Sequence, residues 1–370
     1  MEKRLHIVSF DIPYPPNYGG IIDVFYKIKE LHQLGVKIFL HAYIFDKKTK
    51  QKELEKYCEK VFYYDRKKRV PSLFSLLPFR IKSRVNEALN NNLKNLNFPI
   101  LFEGLHTVYP LAKFNLKDAY VRTHNIEHLY FFGLAKSEKN ILKKIFFQFE
   151  GWKLKIFEKQ IKKAKGIFTI SPFEQKHFSQ LHENSHYIPA FHEYLEIKNN
   201  TKNGDFILYH GDLRVSDNVK AALFLIDVYK NTPYKFVIAS SVKEKKVLTQ
   251  IDQCDTIFLE NIRDKKDLDL LFEKAHINTL VTFQKTGIKL KLLNALYKGK
   301  HIIANTELIE DTGLENLCNI ANTKAEILQK TAQLFKEKFS DLEVEKRAKK
   351  LNEFKPETAA KKIVRIIFKQ

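Results

Sequence analysis

The chain has 370 residues, enough for two domains of ordinary size, each able to bury a core without disulfides or structural metals. Apolar residues make up 44% and charged residues 29%, which excludes wholesale disorder. Lysine plus arginine total 64 against 43 acids, a formal charge of +21 that requires either a solvated basic surface or an anionic partner.

Short apolar runs rich in β-branched or aromatic residues recur, each followed by a helix-like stretch. In the first half they are His6–Phe10, Val36–Tyr43, Val61–Tyr64, Ile100–Glu103, Ala119–Thr123, Gly166–Ile170 and His186–Ile188. In the second half they are Phe206–His210, Lys235–Ala239, Thr256–Glu260, Asn278–Phe283 and His301–Asn305. Such alternation predicts parallel sheets wrapped by helices. A (β/α)8 barrel closes after eight strands, whereas here two series each start afresh. The expected class is therefore α/β, with two Rossmann-like domains facing across a cleft.

The break between the series is Pro189 to Gly204, ending in the polar run Lys198–Gly204. It predicts an N-terminal domain at 1–190, a linker at 191–204 and a C-terminal domain at 205–355. A last helix at 356–370 carries Ile363, Ile366 and Ile367 on one side, and is expected to cross back to the first domain. Cys58, Cys254 and Cys318 lie far apart, which excludes a disulfide framework and a CxxC zinc site and fits a reducing compartment. No apolar run approaches the ~18 residues of a membrane span. The start, MEKRLHIVSF, has no apolar signal segment. The expected location is cytoplasmic, soluble or peripheral on the inner face of the cell membrane.

Four segments carry chemistry. In FDIPYPPNYGG, Gly19 and Gly20 open a helix after a strand, where backbone N–H groups suit an anion. In VRTHNIEH, His124, Asn125 and Glu127 follow a strand end, where open α/β sheets place ligands. The same stretch spells HxxEH through His128, but zinc chemistry needs both histidines on one helix face, and His124 falls at the strand-to-helix junction. No metal is expected. In LYHGDLRVSDNVK, Gly211 offers close approach to a phosphate and Arg214 a clamp. In TFQKTGIKLKLLNALYKGKHIIAN, Thr286 and Gly287 open a helix with Lys289 in its first turn. A cation there opposes the helix dipole unless an anion is bound.

These segments resemble the GT-B glycosyltransferases of the family-4 retaining group, over essentially the whole chain. The closer likeness is to a branch of glycosyltransferases from Bacteroidetes-type bacteria. The glycine loop, RTHNIEH with the stretch to FTISPFEQKHF, YHGDLRVSDNVKAALFL and TGIKLKLLNALYKGKHIIAN carry it. Thr286 and Asn294 stand where the family often has two glutamates, and Asp212 and Asp217 where it has Arg and Lys. The resemblance implies a hexosyltransferase. It would use a UDP-sugar or GDP-sugar on the C-terminal domain, with Gly211, Arg214, Thr286, Gly287, Lys289 and Asn294 as donor ligands. A glycan or lipid-linked acceptor would bind the N-terminal domain near Gly19, Gly20, Asn125 and Glu127. His124 would contact the reacting groups, with retention, no metal and no further cofactor.

Two other classes stay open. One is a non-transferring GT-B enzyme such as a sugar-nucleotide epimerase. The other is a nucleic-acid binder, which the charge alone suggests, but there is no Arg-rich helix or aromatic RNA-binding motif, so no nucleic acid is expected. An anionic membrane surface is a further expected partner. Asp65–Arg84 sets Leu73, Phe74, Leu76, Leu77 and Phe79 among Arg66, Lys67, Lys68, Arg69, Arg80, Lys82 and Arg84, and Lys136–Lys165 adds ten lysines against three glutamates.

Overall fold

The computed structural model describes residues 2–45, 48–67, 75–138, 140–198, 201–287 and 290–369. The chain divides into two compact units. Unit 1 is Met1–Glu193 with Thr286–Ile288 and Phe354–Gln370; unit 2 is Tyr194–Lys285 with Lys289–Glu353.

In unit 1 the strands are β1 (Arg4–Ser9), β2 (Lys37–Ile44), β3 (Lys60–Asp65), β4 (Ile100–Glu103), β5 (Ala119–Thr123), β6 (Gly166–Thr169) and β7 (Ser185–Tyr187). They form one parallel sheet in the order β3-β2-β1-β4-β5-β6-β7. The order reverses between β1 and β4, and in such sheets the ligand crevice lies outside the carboxyl ends at that reversal. The central strands are buried on both faces, as their near-continuous apolar runs require.

The C-terminal helix Pro356–Phe368 packs on this unit, not on the strands that precede it in sequence. Ala359, Ala360, Ile363, Val364 and Ile367 join the core of Leu5, Ile28 and Leu31. Burying Ile363 and Ile367 stabilises by ~1.5–3 kcal/mol each. Phe191 and His192, expected in the linker, are buried in unit 1, whereas the Lys198 N–H bonds Tyr297 O in unit 2 at 2.9 Å.

In unit 2 the strands are β8 (Phe206–His210), β9 (Phe236–Ser240), β10 (Ile257–Asn261), β11 (Ala275–Leu280), β12 (His301–Ala304) and β13 (Asn319–Ile320). Their order is β10-β9-β8-β11-β12-β13, again all parallel, with the reversal between β8 and β11. Strand β11 starts three residues before the expected Asn278–Phe283 run, and β13 was not expected at all. No helix among the described residues is long and apolar enough to cross a membrane.

Candidate active site

In unit 1 the carboxyl ends of β1, β4 and β5 converge on a buried charge network. Asp23 and Lys27 lie one turn apart on the Gly19–Gln33 helix, with Lys27 Nζ 2.9 Å from Asp23 Oδ2. The same ammonium donates to Glu103 Oε2 at 2.9 Å, at the end of β4. Arg122 on β5 donates Nη2–H to Asp23 Oδ1 at 2.8 Å and Nη1–H to Ile188 O at 2.6 Å. None of these four side chains has measurable exposure. Burial alone raises the Asp23 carboxyl pKa, but the charges of Arg122 and then Lys27 outweigh it and hold the group well below the usual carboxylate range.

His124 sits on this network, 4% exposed, just past β5. Its Nε2 is 2.9 Å from Glu103 Oε2 and 3.9 Å from Asp23 Oδ2. A carboxylate accepts only, so this bond puts a proton on Nε2. Nδ1 is buried and has no hydrogen-bond partner among the described residues. The Phe10 ring stands edge-on to the imidazole at 5.4 Å. A Cβ on Gly20 would come 2.7 Å from Phe10 Cζ, so the glycine leaves room for the ring that faces His124. Gly19 and Gly20 open their helix with no side-chain cap and no acid in the first turn, which leaves first-turn N–H groups suited to an anion.

The HxxEH residues part company. His124 goes to Glu103, while His106 Nε2 lies 3.1 Å from Glu127 Oε2. His128 Nδ1 lies 3.2 Å from Glu158 Oε2, whose other oxygen is 2.8 Å from His177 Nε2. Burial pushes the His106 pKa down to about 4. Two trios have ligand atoms close enough for a metal, within 4.8 Å: Asp23, Glu103 and His124, and His128, Glu158 and His177. In the first, Lys27 and Arg122 already balance two carboxylate charges. In the second, each Glu158 oxygen is already matched to one histidine.

Thr286 and Gly287 group with unit 1. Thr286 Oγ1 and the Gly287 N–H both donate to Glu174 Oε1 at 2.9 Å, and the Ile126 N–H donates to Thr286 Oγ1 at 3.0 Å. The N–H expected to meet a donor phosphate thus meets the chain's own carboxylate. Gly287 has φ +95°, and a Cβ would come 2.5 Å from Asn125 Oδ1, so only glycine fits between Asn125 and this turn.

In unit 2 the donor residues lie around the ends of β8 and β11. The Gly211 N–H bonds Ala239 O at 3.1 Å, so Gly211 offers space, not the phosphate donor expected of it. Arg214 is exposed and held by Asp212, with Nε 2.9 Å from Oδ1 and Nη2 2.8 Å from Oδ2. As a clamp it must first exchange that carboxylate for a ligand. Asp217 accepts from Thr282 Oγ1 at 2.7 Å and from the Phe283 N–H at 3.2 Å, closing the loop after β11. The helix of the fourth segment runs Leu290–Lys298, and Lys289 lies outside the described residues. Asn294 on that helix accepts from Tyr194 Oη. Lys291, which sequence reasoning passed over, reaches Asn218 Oδ1 at 2.7 Å. Its place two residues past Lys289 was the available signal. Glu103, Asp23, Lys27, Arg122 and Glu174 were missed too, because nothing local marks them as more than strand and helix residues.

No protein-family model matches the chain. A 44.6 kDa protein of the cps region of Klebsiella pneumoniae, itself uncharacterised, is 26% identical over 333 residues, covering 84% of each chain. Among solved structures, sucrose-phosphate synthase of Thermosynechococcus elongatus superposes with TM-score 0.71 at 12% identity, covering 99% of this chain and 98% of that one. The lipopolysaccharide outer core galactosyltransferase WaaB superposes with TM-score 0.65 at 11% identity, covering 99% of both. A point variant of S. aureus TarM, in complex with fondaparinux, α-GlcNAc-glycerol and UDP, gives TM-score 0.64 at 11% identity, again over 99% of both. With two parallel-sheet α/β units and neighbours of this kind over its whole length, the chain has the GT-B fold.

Proposed function

We propose that the chain transfers a hexosyl group from a UDP-sugar or GDP-sugar to a hydroxyl of a glycan or lipid-linked acceptor. The observation that carries this reading is His124. It is buried at a strand end beside the sheet reversal, and Glu103 fixes its orientation with one nitrogen left unpartnered. The GT-B fold supports it, as do the UDP and the glycosylated glycerol bound by TarM.

In this reading unit 2 holds the donor. Lys289, Lys291 and Arg214 supply positive charge to the diphosphate, and Asn294 supplies an amide for ribose hydroxyls. Thr286 and Gly287 bind the donor once Glu174 yields the Gly287 N–H. Gly19 and Gly20, with Asn125 and Glu127, serve the acceptor. The bond from the anomeric carbon to the diphosphate oxygen breaks. The acceptor oxygen bonds that carbon from the same face, and the acceptor proton passes to the leaving phosphate. His124 contacts the reacting sugar or acceptor through Nδ1, and no metal takes part. Cations and backbone N–H groups stabilise the charge that develops on the leaving group.

Thermal shift with UDP, GDP and their hexose conjugates tests the reading. A ligand at 100 times its dissociation constant adds ~2.7 kcal/mol and raises the melting temperature, with or without EDTA. Stabilisation by none of them contradicts the reading; a strict requirement for Mg²⁺ contradicts its metal-free part. Conversion of a nucleotide sugar to its epimer without acceptor would favour the epimerase instead.

A further inference from the structure

The Ile141–Glu158 helix presents an apolar stripe to solvent. Ile141 is 65% exposed, Leu142 74%, Ile145 46%, Phe149 57%, Trp152 52% and Ile156 68%. At 3.6 residues per turn these six positions fall within an arc of about 100°. The residues that the helix buries, Glu150, Gly151, Leu154, Phe157 and Glu158, lie on the opposite side. A monomer rarely leaves so large a contiguous apolar strip on its surface without a partner for it.

The charges around the stripe say which partner. Lys143, Lys144, Lys155 and Lys159 are exposed on this helix or just past its end. The two acids of the helix are turned inward, Glu150 onto the Phe79 N–H at 2.7 Å and Glu158 onto His128 and His177. Lys155 Nζ stands 5.5 Å from the centre of the Trp152 ring. Three residues before Phe79, Leu76 is 96% exposed, so the stripe has an apolar neighbour on an adjoining segment. A second copy of the chain seated face to face would set lysine against lysine. An apolar strip with a tryptophan, rimmed by lysines and without exposed acids, has the chemistry of a helix lying in an anionic lipid interface.

We propose that unit 1 docks on anionic lipid membranes through this helix, with the stripe in the headgroup–acyl boundary and the lysines on lipid phosphates. The helix spans ~27 Å, long enough to lie along the surface. The proposal moves the membrane face away from the middle of Asp65–Arg84. Arg84 is buried and bonds Phe10 O and Arg80 O, Leu77 packs against the unit 1 core, and residues 68–74 lie outside the described residues. It does not depend on the transfer reading.

Trp152 is the only tryptophan in the chain, so its emission reports on this helix alone. The experiment titrates the full chain with vesicles of phosphatidylcholine, with and without phosphatidylglycerol, excites at the tryptophan edge and repeats with brominated lipid. The expected result is a blue shift and bromine quenching that require phosphatidylglycerol. Phe149→Ser and Ile156→Ser should each weaken binding roughly tenfold or more with the melting temperature unchanged. Three results overturn the proposal. They are no binding to anionic vesicles, binding that leaves Trp152 emission unchanged, and a blue shift that grows with protein concentration in the absence of lipid, which assigns the face to a second copy.

Discussion

His124 and Glu103 meet at 2.9 Å between Nε2 and Oε2, although 21 residues and two different strands separate them in the chain. The contact ties the histidine at the end of β5 to the carboxylate at the end of β4, and through it to Lys27. The imidazole is thereby fixed by a group that is itself fixed, an arrangement suited to a side chain that must meet a reacting group in one orientation.

If His124 touches the reacting sugar, His124→Ala should lower turnover ~10- to 100-fold, the worth of one strong hydrogen bond. Glu103 acts through it as a positioning residue. Glu103→Gln should lower kcat, leave the donor KM unchanged and shift the pH profile, because the neutral amide no longer sets the imidazole proton. Steady-state kinetics across pH read both variants. Wild-type turnover in His124→Ala, or a Glu103→Gln defect confined to KM, would contradict these roles.

The network should behave as a unit in stability. Lys27→Met leaves Asp23 and Glu103 without their shared cation and should cost ~3–5 kcal/mol. Combining it with Glu103→Gln removes a charge of each sign, so the double variant should lose less than the sum of the singles. Urea unfolding of the four forms measures the cycle. Simple additivity would show that the two groups do not interact in the folded chain.

Acid should destabilise both units before any carboxylate titrates. Burial pushes the imidazoles of His106 and His192 down to about 4, and that of His210 down to about 3 with help from Lys291 and Lys298. In the unfolded chain a histidine titrates near 6.5. Between pH ~6.5 and ~4 the unfolded state therefore binds more protons, and stability falls as pH is lowered through that window. Above it these groups add no pH dependence. Neither His210 nitrogen has a hydrogen-bond partner among the described residues. His210→Leu, close in volume, should match or exceed wild type at pH 7.5 and melt with a shallower acid slope. Melting curves from pH 7.5 to 4 decide it, and an unchanged slope would contradict the assignment.

The sheets were legible because parallel strands buried on both faces carry continuous apolar runs, as β4 and β8 do. Strand β11 was misplaced because it buries polar His276 and Asn278, while the apolar Val281 and Phe283 lie past its end. Strand β13 has two residues, too few for any periodicity. His124 was legible from its strand-end position. Its partners were not: Asp23 and Lys27 read as an ordinary surface pair on a helix, and only packing across 99 residues to Arg122 buries them. Composition showed basic, apolar-rich stretches in both Asp65–Arg84 and Lys136–Lys165. Which apolar side chains the core takes, Leu77 but not Phe149, depends on tertiary contacts that composition does not encode.

Transfer from a nucleotide sugar can be observed directly by proton NMR of the full chain incubated with UDP-hexoses and GDP-hexoses. Slow transfer to water needs no identified acceptor. The expected result is release of the nucleoside diphosphate together with free sugar that first appears as the donor's own anomer, at a rate lowered in His124→Ala. Release of the opposite anomer would contradict retention, and no turnover of any donor by a chain that also fails to bind them would contradict transfer itself.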